Sequence, residues 1–122
     1  MTVLHNQSDV IVFADDIIKE LCIKAFDTNG DGELSYAEAA AVTYLSQMKL
    51  TKKTFKSFDE FQYFTSVKAL PVGYFKETDI RSIILPYNLE SITDEAFYHC
   101  SSLNYISIPE SVTSIGDYAF RG

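Results

Sequence analysis

Two hydrophobic periods divide this chain. From Phe13 to Phe26, apolar side chains fall at Ile17, Ile18, Leu21, Cys22, Ala25 and Phe26. That spacing keeps returning to one side of a 3.6-residue turn and predicts an amphipathic helix. Asp15 or Asp16 suits its start, where a carboxylate meets the positive end of the helix dipole. Ahead of it, Val10-Ile11-Val12-Phe13 is a short β-branched run that suits extended backbone. A second helix is expected through Ala37, Ala39, Ala40, Ala41 and Val42 to about Leu45, with Ser35 and Glu38 as a capping box at its start. A polar connector follows from about Gln47 to Lys56. Ser57-Phe58-Asp59-Glu60 reads as another capping box, so a short helix carrying Phe58, Phe61 and Phe64 is expected next.

The second period is 23 residues: Ile80, Ile83, Leu85, Pro86, Leu89, Ile92, Ala96 and Phe97 recur as Leu103, Ile106, Ile108, Pro109, Val112, Ile115, Ala119 and Phe120. A looser copy, mostly 22 residues back, places Val67, Leu70 and Phe75 at the slots of Leu89, Ile92 and Phe97. The period and the L-x-x-I-x-I order fall in the range of leucine-rich repeats. Each unit is expected to give a short strand around Ile106-Ser107-Ile108, which Pro109 ends because it lacks an N–H. The chain then returns through Val112 and Ile115 to a helical turn at Asp117-Tyr118-Ala119-Phe120. One unit cannot bury its own apolar side, so the units are expected to stack into a solenoid. The helical segment with Phe58, Phe61 and Phe64 would cap its front. At the back, Phe120-Arg121-Gly122 stops where a third repeat is expected to continue. Either a shortened chain or an end that pairs with another chain is expected.

Between the two helices lies Asp27-Thr28-Asn29-Gly30-Asp31-Gly32-Glu33-Leu34-Ser35-Tyr36-Ala37-Glu38. This stretch fills every position of a twelve-residue EF-hand loop. Asp27, Asn29 and Asp31 stand at positions 1, 3 and 5. Gly32 stands at position 6, where the backbone turns sharply and a Cβ is expected to be in the way. Glu33 at position 7 would offer its carbonyl, and Leu34 at position 8 would point into the core. Ser35 at position 9 would bind through water or its hydroxyl, and Glu38 at position 12 with both carboxylate oxygens. Calcium takes six to eight oxygens, and a short loop supplies them only by wrapping around the ion. The expected metal ligands are therefore Asp27, Asn29, Asp31, Glu33, Ser35 and Glu38, with Ca2+ as the cofactor. A plain acidic turn is the alternative reading. No second loop is present to pair with this one, so weak affinity, roughly micromolar to millimolar, is expected.

Composition narrows the function classes. The 122 residues are 47 % hydrophobic, with nine Phe, eight Tyr and no Trp, enough for a packed core. The net charge of −7 is uneven: residues 1–48 hold eight acids and two lysines, the remainder nine acids and eight bases. Acid collects around the proposed loop, and the balance argues against nucleic acid. Lys49, Lys52, Lys53 and Lys56 read as a solvated connector. Cys22 and Cys100 fall in apolar slots and read as small buried hydrophobes, not a disulfide. No apolar run is long enough for a membrane span. Residues 1–8 lack a signal-peptide core and are expected to be loose or extended; Asn6-Gln7-Ser8 is a formal glycosylation sequon. His5 and His99 are the only histidines, and no phosphate loop, Gly-x-Ser-x-Gly elbow or His-Glu-x-x-His occurs. An enzyme is not expected.

The segment Ile106-Ser107-Ile108-Pro109-Glu110-Ser111-Val112-Thr113-Ser114-Ile115-Gly116-Asp117-Tyr118-Ala119-Phe120 resembles the repeat of the BspA-type leucine-rich-repeat family of bacterial surface proteins. Ile83 to Cys100 follows the same pattern with changes: Tyr87-Asn88-Leu89 stands for the usual x-S-V, and Asp94 is read as replacing the Gly. Cys100-Ser101-Ser102-Leu103 matches the family's C-x-x-L join. Residues 26–43 resemble the EF-hand-like leader of such proteins in gut Bacteroides. The resemblance implies a surface or secreted location and a role in adhesion or protein binding.

The expected fold is α+β, with a helix–calcium loop–helix capping a short leucine-rich-repeat solenoid. The expected parts are 1–9 disordered or extended, 10–48 EF-hand-like, 49–66 connector with a short capping helix, and 67–122 repeats, the last one incomplete. The expected function is a non-enzymatic, calcium-stabilised interaction module. Its strand face, with Arg81, Ser82, Ile84, Asn104, Tyr105 and Ser107, would meet a protein or glycan. A homo-oligomer through the uncapped last repeat is a further expectation. A calcium-responsive sensor is the alternative, but sensors tend to be Met-rich and paired, and this chain has only Met1 and Met48.

Overall fold

A computed structural model describes residues 9–121. Residues 1–8 of the expected disordered or extended start, with the Asn6-Gln7-Ser8 sequon, lie outside the described residues, as does Gly122.

Helix α1 spans Asp16–Phe26. Asp15 caps it: its carboxylate accepts from the N–H groups of Ile17 and Ile18, at 2.8 and 3.2 Å. Ile18, Cys22 and Phe26, four residues apart, are buried. Helix α2 spans only Tyr36–Ala41 and does not reach Leu45. Its capping box forms as expected, with Ser35 and Glu38 each bonded to the other's backbone N–H. Two things stop it early. Val42, β-branched, is extended at φ −71° and ψ 124°. The Ser66 hydroxyl also donates to the Ala40 carbonyl at 2.6 Å, the acceptor that another helical turn would use.

The second expected capping box does not form. Ser57–Phe58 is a strand, β1, and the residues after it, Asp59–Tyr63, make a 3₁₀ turn with no side-chain cap. Strand pairing takes Ser57 and Phe58, which lie opposite Ser82 and Ile83. Glu60 is thereby released from the local box and accepts from the Ala14 N–H at 3.2 Å, 46 residues away.

Beyond this point the chain stacks in parallel. Strands β2 (Ser82–Ile84) and β4 (Tyr105–Ser107) join β1 in a sheet of order β1-β2-β4. Strands β3 (Ser91–Ile92) and β5 (Ser114–Ile115) form a second, two-stranded sheet. Every paired position in β2–β4 and β3–β5 is 23 residues from its partner, as in Ile83 with Ile106 and Ile92 with Ile115. The sequence period is thus the register. The looser copy joins the stack, with Ala69 bridged to Ser91 in parallel. Because Ile92 faces Ile115, the residue opposite Gly116 is Thr93. Asp94 therefore does not replace the Gly; it is the counterpart of Asp117, whose N–H donates to the Asp94 carboxylate at 2.8 Å.

Two features hold the units together. The turns that close them contain left-handed residues: Gly73, Glu95 and Tyr118 in one row, Glu77 and His99 in another. The N–H groups of Gly73, Phe75 and Glu77 donate to the carbonyls of Asp94, Ala96 and Tyr98 in the next unit. Those of Glu95, Phe97 and His99 repeat the pattern with Asp117, Ala119 and Arg121. The second feature is an aromatic column. Phe75 stacks on Phe97 at 5.0 Å and 7°, and Phe97 on Phe120 at 5.2 Å and 4°. The column spacing follows the separation of neighbouring strands.

One buried core runs from Ile11 to Ala119. At its middle, Phe58, Phe61, Phe64 and Phe75 form a fully buried aromatic cluster, and Phe26 of α1 packs edge-on against Phe64 at 5.8 Å. The helical part and the repeats therefore share a core, and Tyr74 reinforces the join by donating its hydroxyl to the Met48 carbonyl at 2.8 Å. At the other end Ile108, Ile115 and Phe120 are exposed, whereas their counterparts Leu85, Ile92 and Phe97 are buried.

Candidate metal centre

The C-terminal end of α1, the N-terminal end of α2 and the turn between them bring three carboxylates together. One oxygen each from Asp27, Asp31 and Glu38 lie within 4.8 Å of one another. Among the described residues no ion pair reaches any of the three; the nearby Lys19 pairs instead with the Glu33 carboxylate, at 3.6 Å.

Backbone N–H groups shape the turn. Asp27 accepts from Gly30 and Gly32, Asn29 from Asp31, and Asp31 from Glu33, at 2.9 to 3.1 Å. Glu38 closes it. One oxygen accepts from the Ser35 N–H at 2.9 Å, and the other from the Thr28 and Asn29 N–H groups at 2.8 and 3.2 Å. The Thr28 hydroxyl adds a contact to the same oxygen at 3.2 Å. The last residue of the loop is thus fastened to its start.

Gly30 and Gly32 have φ of +72° and +79°, the left-handed region that other residues enter at a cost. Space is not the reason for glycine, contrary to expectation. A Cβ built on Gly32 meets nothing within 4 Å, so backbone conformation alone requires it.

Of the six expected ligands, Asp27, Asp31 and Glu38 converge. Asn29 sits in the same turn with its amide oxygen on the Asp31 N–H. The Ser35 hydroxyl oxygen accepts from the Glu38 N–H as the helix cap, and the Ser35 residue is buried. The Glu33 side chain faces Lys19, which leaves its carbonyl as the group available to the loop. The donors are all oxygen, the chemistry of a hard divalent cation, and among the described residues no ion pair offsets the three carboxylates. By that test the residues fit calcium.

Sequence reasoning missed two participants. Thr28 has no ligand position in the motif, yet it holds Glu38. The segment Asp9–Ile11 lies antiparallel against the loop's end, with Val10 opposite Ser35. The β-branched run at Val10–Phe13 was the available signal, because a strand needs a partner.

The residues expected to form a strand face are split by exposure. Arg81, Asn104 and Tyr105 are exposed, while Ser82, Ile84 and Ser107 are half-buried. Ser57, Ser82 and Tyr105 stand in one row across the sheet. Cys22 and Cys100 are buried free thiols. Cys22 meets the Met48 sulfur at 3.7 Å, and Cys100 donates to the Phe75 carbonyl at 2.9 Å. Burial pushes both thiols up from their ordinary range.

Residues 68–122 match a family model described as BspA type Leucine rich repeat region (6 copies). The match covers the repeat stack and stops short of the acidic loop. No curated protein and no solved structure matches the chain. The register explains the BspA-type pattern. Ser111, at the Ser of x-S-V, donates its hydroxyl to the Leu89 carbonyl at 2.6 Å. Asn88, its counterpart one unit earlier, donates to the Thr65 carbonyl at 3.2 Å. The slot wants a short donor that reaches the preceding unit, and Asn serves as well as Ser. No helix among the described residues is long and apolar enough to cross a membrane.

Proposed function

We propose that this chain is a calcium-stabilised interaction module, with Asp27, Asn29, Asp31, Glu38, the Glu33 carbonyl and Ser35 as the metal-binding set. The observation that carries the reading is the convergence of three carboxylates that no basic side chain among the described residues pairs with, in a loop held closed by backbone N–H groups. A calcium ion would offset their mutual repulsion and tie the end of α1 to the start of α2. The role is structural, because the apolar sides of both helices are buried in the shared core. A sensor needs such a side free to open.

The BspA-type repeats supply the interaction surface in this reading. Arg81, Asn104 and Tyr105, with Ser82, Ile84 and Ser107 between them, would meet a protein or glycan. The cell-surface or secreted location is what the family resemblance implies. Self-association through the exposed Ile108, Ile115 and Phe120 belongs to the same reading. Sedimentation of the parent against Phe120→Glu tests it: a concentration-dependent dimer lost in the variant supports it, and a monomer throughout removes it.

The deciding experiment for the metal is a thermal melt with excess calcium, with chelator, and with magnesium as the control. A ligand that binds only the folded state raises the midpoint. We expect a calcium-specific rise that Asp31→Ala abolishes. An unchanged midpoint, or a variant that binds calcium as the parent does, overturns the assignment.

A further inference from the structure

We infer that Asp9–Ile11 is the pairing strand of the acidic loop and a positioning element for its metal affinity. The inference rests on the calcium reading above. EF-hand loops ordinarily pair through position 8 with a second loop, and none is present in this sequence. Here the chain supplies its own partner. The Ile11 N–H donates to the Leu34 carbonyl at 2.8 Å, and the Tyr36 N–H donates to the Asp9 carbonyl at 3.1 Å. The two bonds flank the antiparallel bridge of Val10 with Ser35.

The position of this bridge matters. Leu34 follows the Glu33 carbonyl at position 7, and Ser35 is the cap that receives Glu38. Pairing at Leu34 and Tyr36 therefore fixes the half of the loop that delivers the last three ligand positions. The strand is itself anchored at its other end. Ile11 and Phe13 are buried, the Ala14 N–H donates to Glu60, and the Lys56 N–H donates to Asp15 at 2.7 Å. An unpaired half-loop would have to be ordered when the ion binds, and that entropy would be subtracted from affinity. Linkage then runs both ways: whatever the strand adds to ion binding, the ion returns to strand docking.

Two substitutions at one residue isolate the bond. Ile11→Ala trims the side chain and keeps the N–H. Ile11→Pro removes the N–H and keeps an extended backbone. Calcium titration by calorimetry should give a dissociation constant about tenfold weaker for Ile11→Pro than for Ile11→Ala, the weight of one buried backbone hydrogen bond. Equal constants overturn the inference. Hydrogen exchange on the parent chain makes the test independent of whether Ile11→Pro folds. Saturating calcium should slow the Ile11 and Tyr36 amides, with a midpoint at the parent's dissociation constant. Exchange of these amides unchanged by calcium sinks the proposal while leaving the metal site in place. A parent that binds no calcium removes both.

Discussion

Gly116 shows how tightly two units approach at a single residue. A Cβ there would stand 2.5 Å from the Asp94 nitrogen and 2.7 Å from the Thr93 carbonyl carbon, both backbone atoms of the preceding unit. Gly116→Ala is expected to cost roughly 1–3 kcal/mol, because backbone must shift to admit it. Urea unfolding measures this, and a loss below a few tenths would show that the units slide apart freely. Glu60 is the other telling residue. Burial pushes its carboxyl above the usual range, and the neighbouring Asp59 and Asp15 charges push the same way, against the Ala14 N–H. One Glu60 oxygen and one Asp59 oxygen are buried without a hydrogen-bond partner. A carboxyl raised in the folded state binds more protons folded than unfolded. Its stabilising contribution is complete below the ordinary glutamate range and is lost as pH rises through the raised value. Glu60→Gln keeps an acceptor for Ala14 and removes the titration. We expect it to melt higher than the parent at pH 7 and close to the parent at pH 4. A parent-like midpoint at both pH values would contradict the burial argument.

Among elements, the aromatic column sets the most specific expectation. Phe97 lies between Phe75 and Phe120 and is buried; Phe120 stacks on Phe97 and is 40 % exposed. Phe97→Ala is expected to cost about 3–5 kcal/mol, and Phe120→Ala clearly less. Equal losses in chemical denaturation would mean that the column contributes little. The column was legible in the sequence because its residues recur at the repeat offset, and the offset became the strand register. Helix α1 was legible for a similar reason, since its cap and apolar side are encoded within a dozen neighbouring residues. The Ser57-Phe58-Asp59-Glu60 box misled because its local pattern is genuine. Parallel pairing with Ser82 and Ile83 outcompeted it, and no residue near Glu60 in sequence reveals that.

The buried residues form one core, and this governs how the acidic loop is felt elsewhere. Phe26, at the end of α1 beside Asp27, packs on Phe64, which packs on Phe58, which packs on Phe75 in the repeats. Stability gained at the loop should therefore reach the repeats. In native-state hydrogen exchange, the most protected amides of α1 and those of β2 and β4 should open with the same free energy, and calcium should raise both together. Separate opening energies, with only α1 responding, would mean two units that touch without cooperating.

The amino-acid sequence by itself determined the caps that start α1 and α2, the acidic turn between them and the 23-residue register. Each depends on residues close together or on a strict repeat, where propensity and period act directly. Tertiary structure alone decided where α2 stops, that Ser57–Phe58 is a strand, that Glu60 serves Ala14, and that Asp9–Ile11 pairs with the loop. Those outcomes depend on which distant backbone groups arrive unpaired at one place. Burial then obliges them to bond to each other, and a local sequence carries no record of its remote partner.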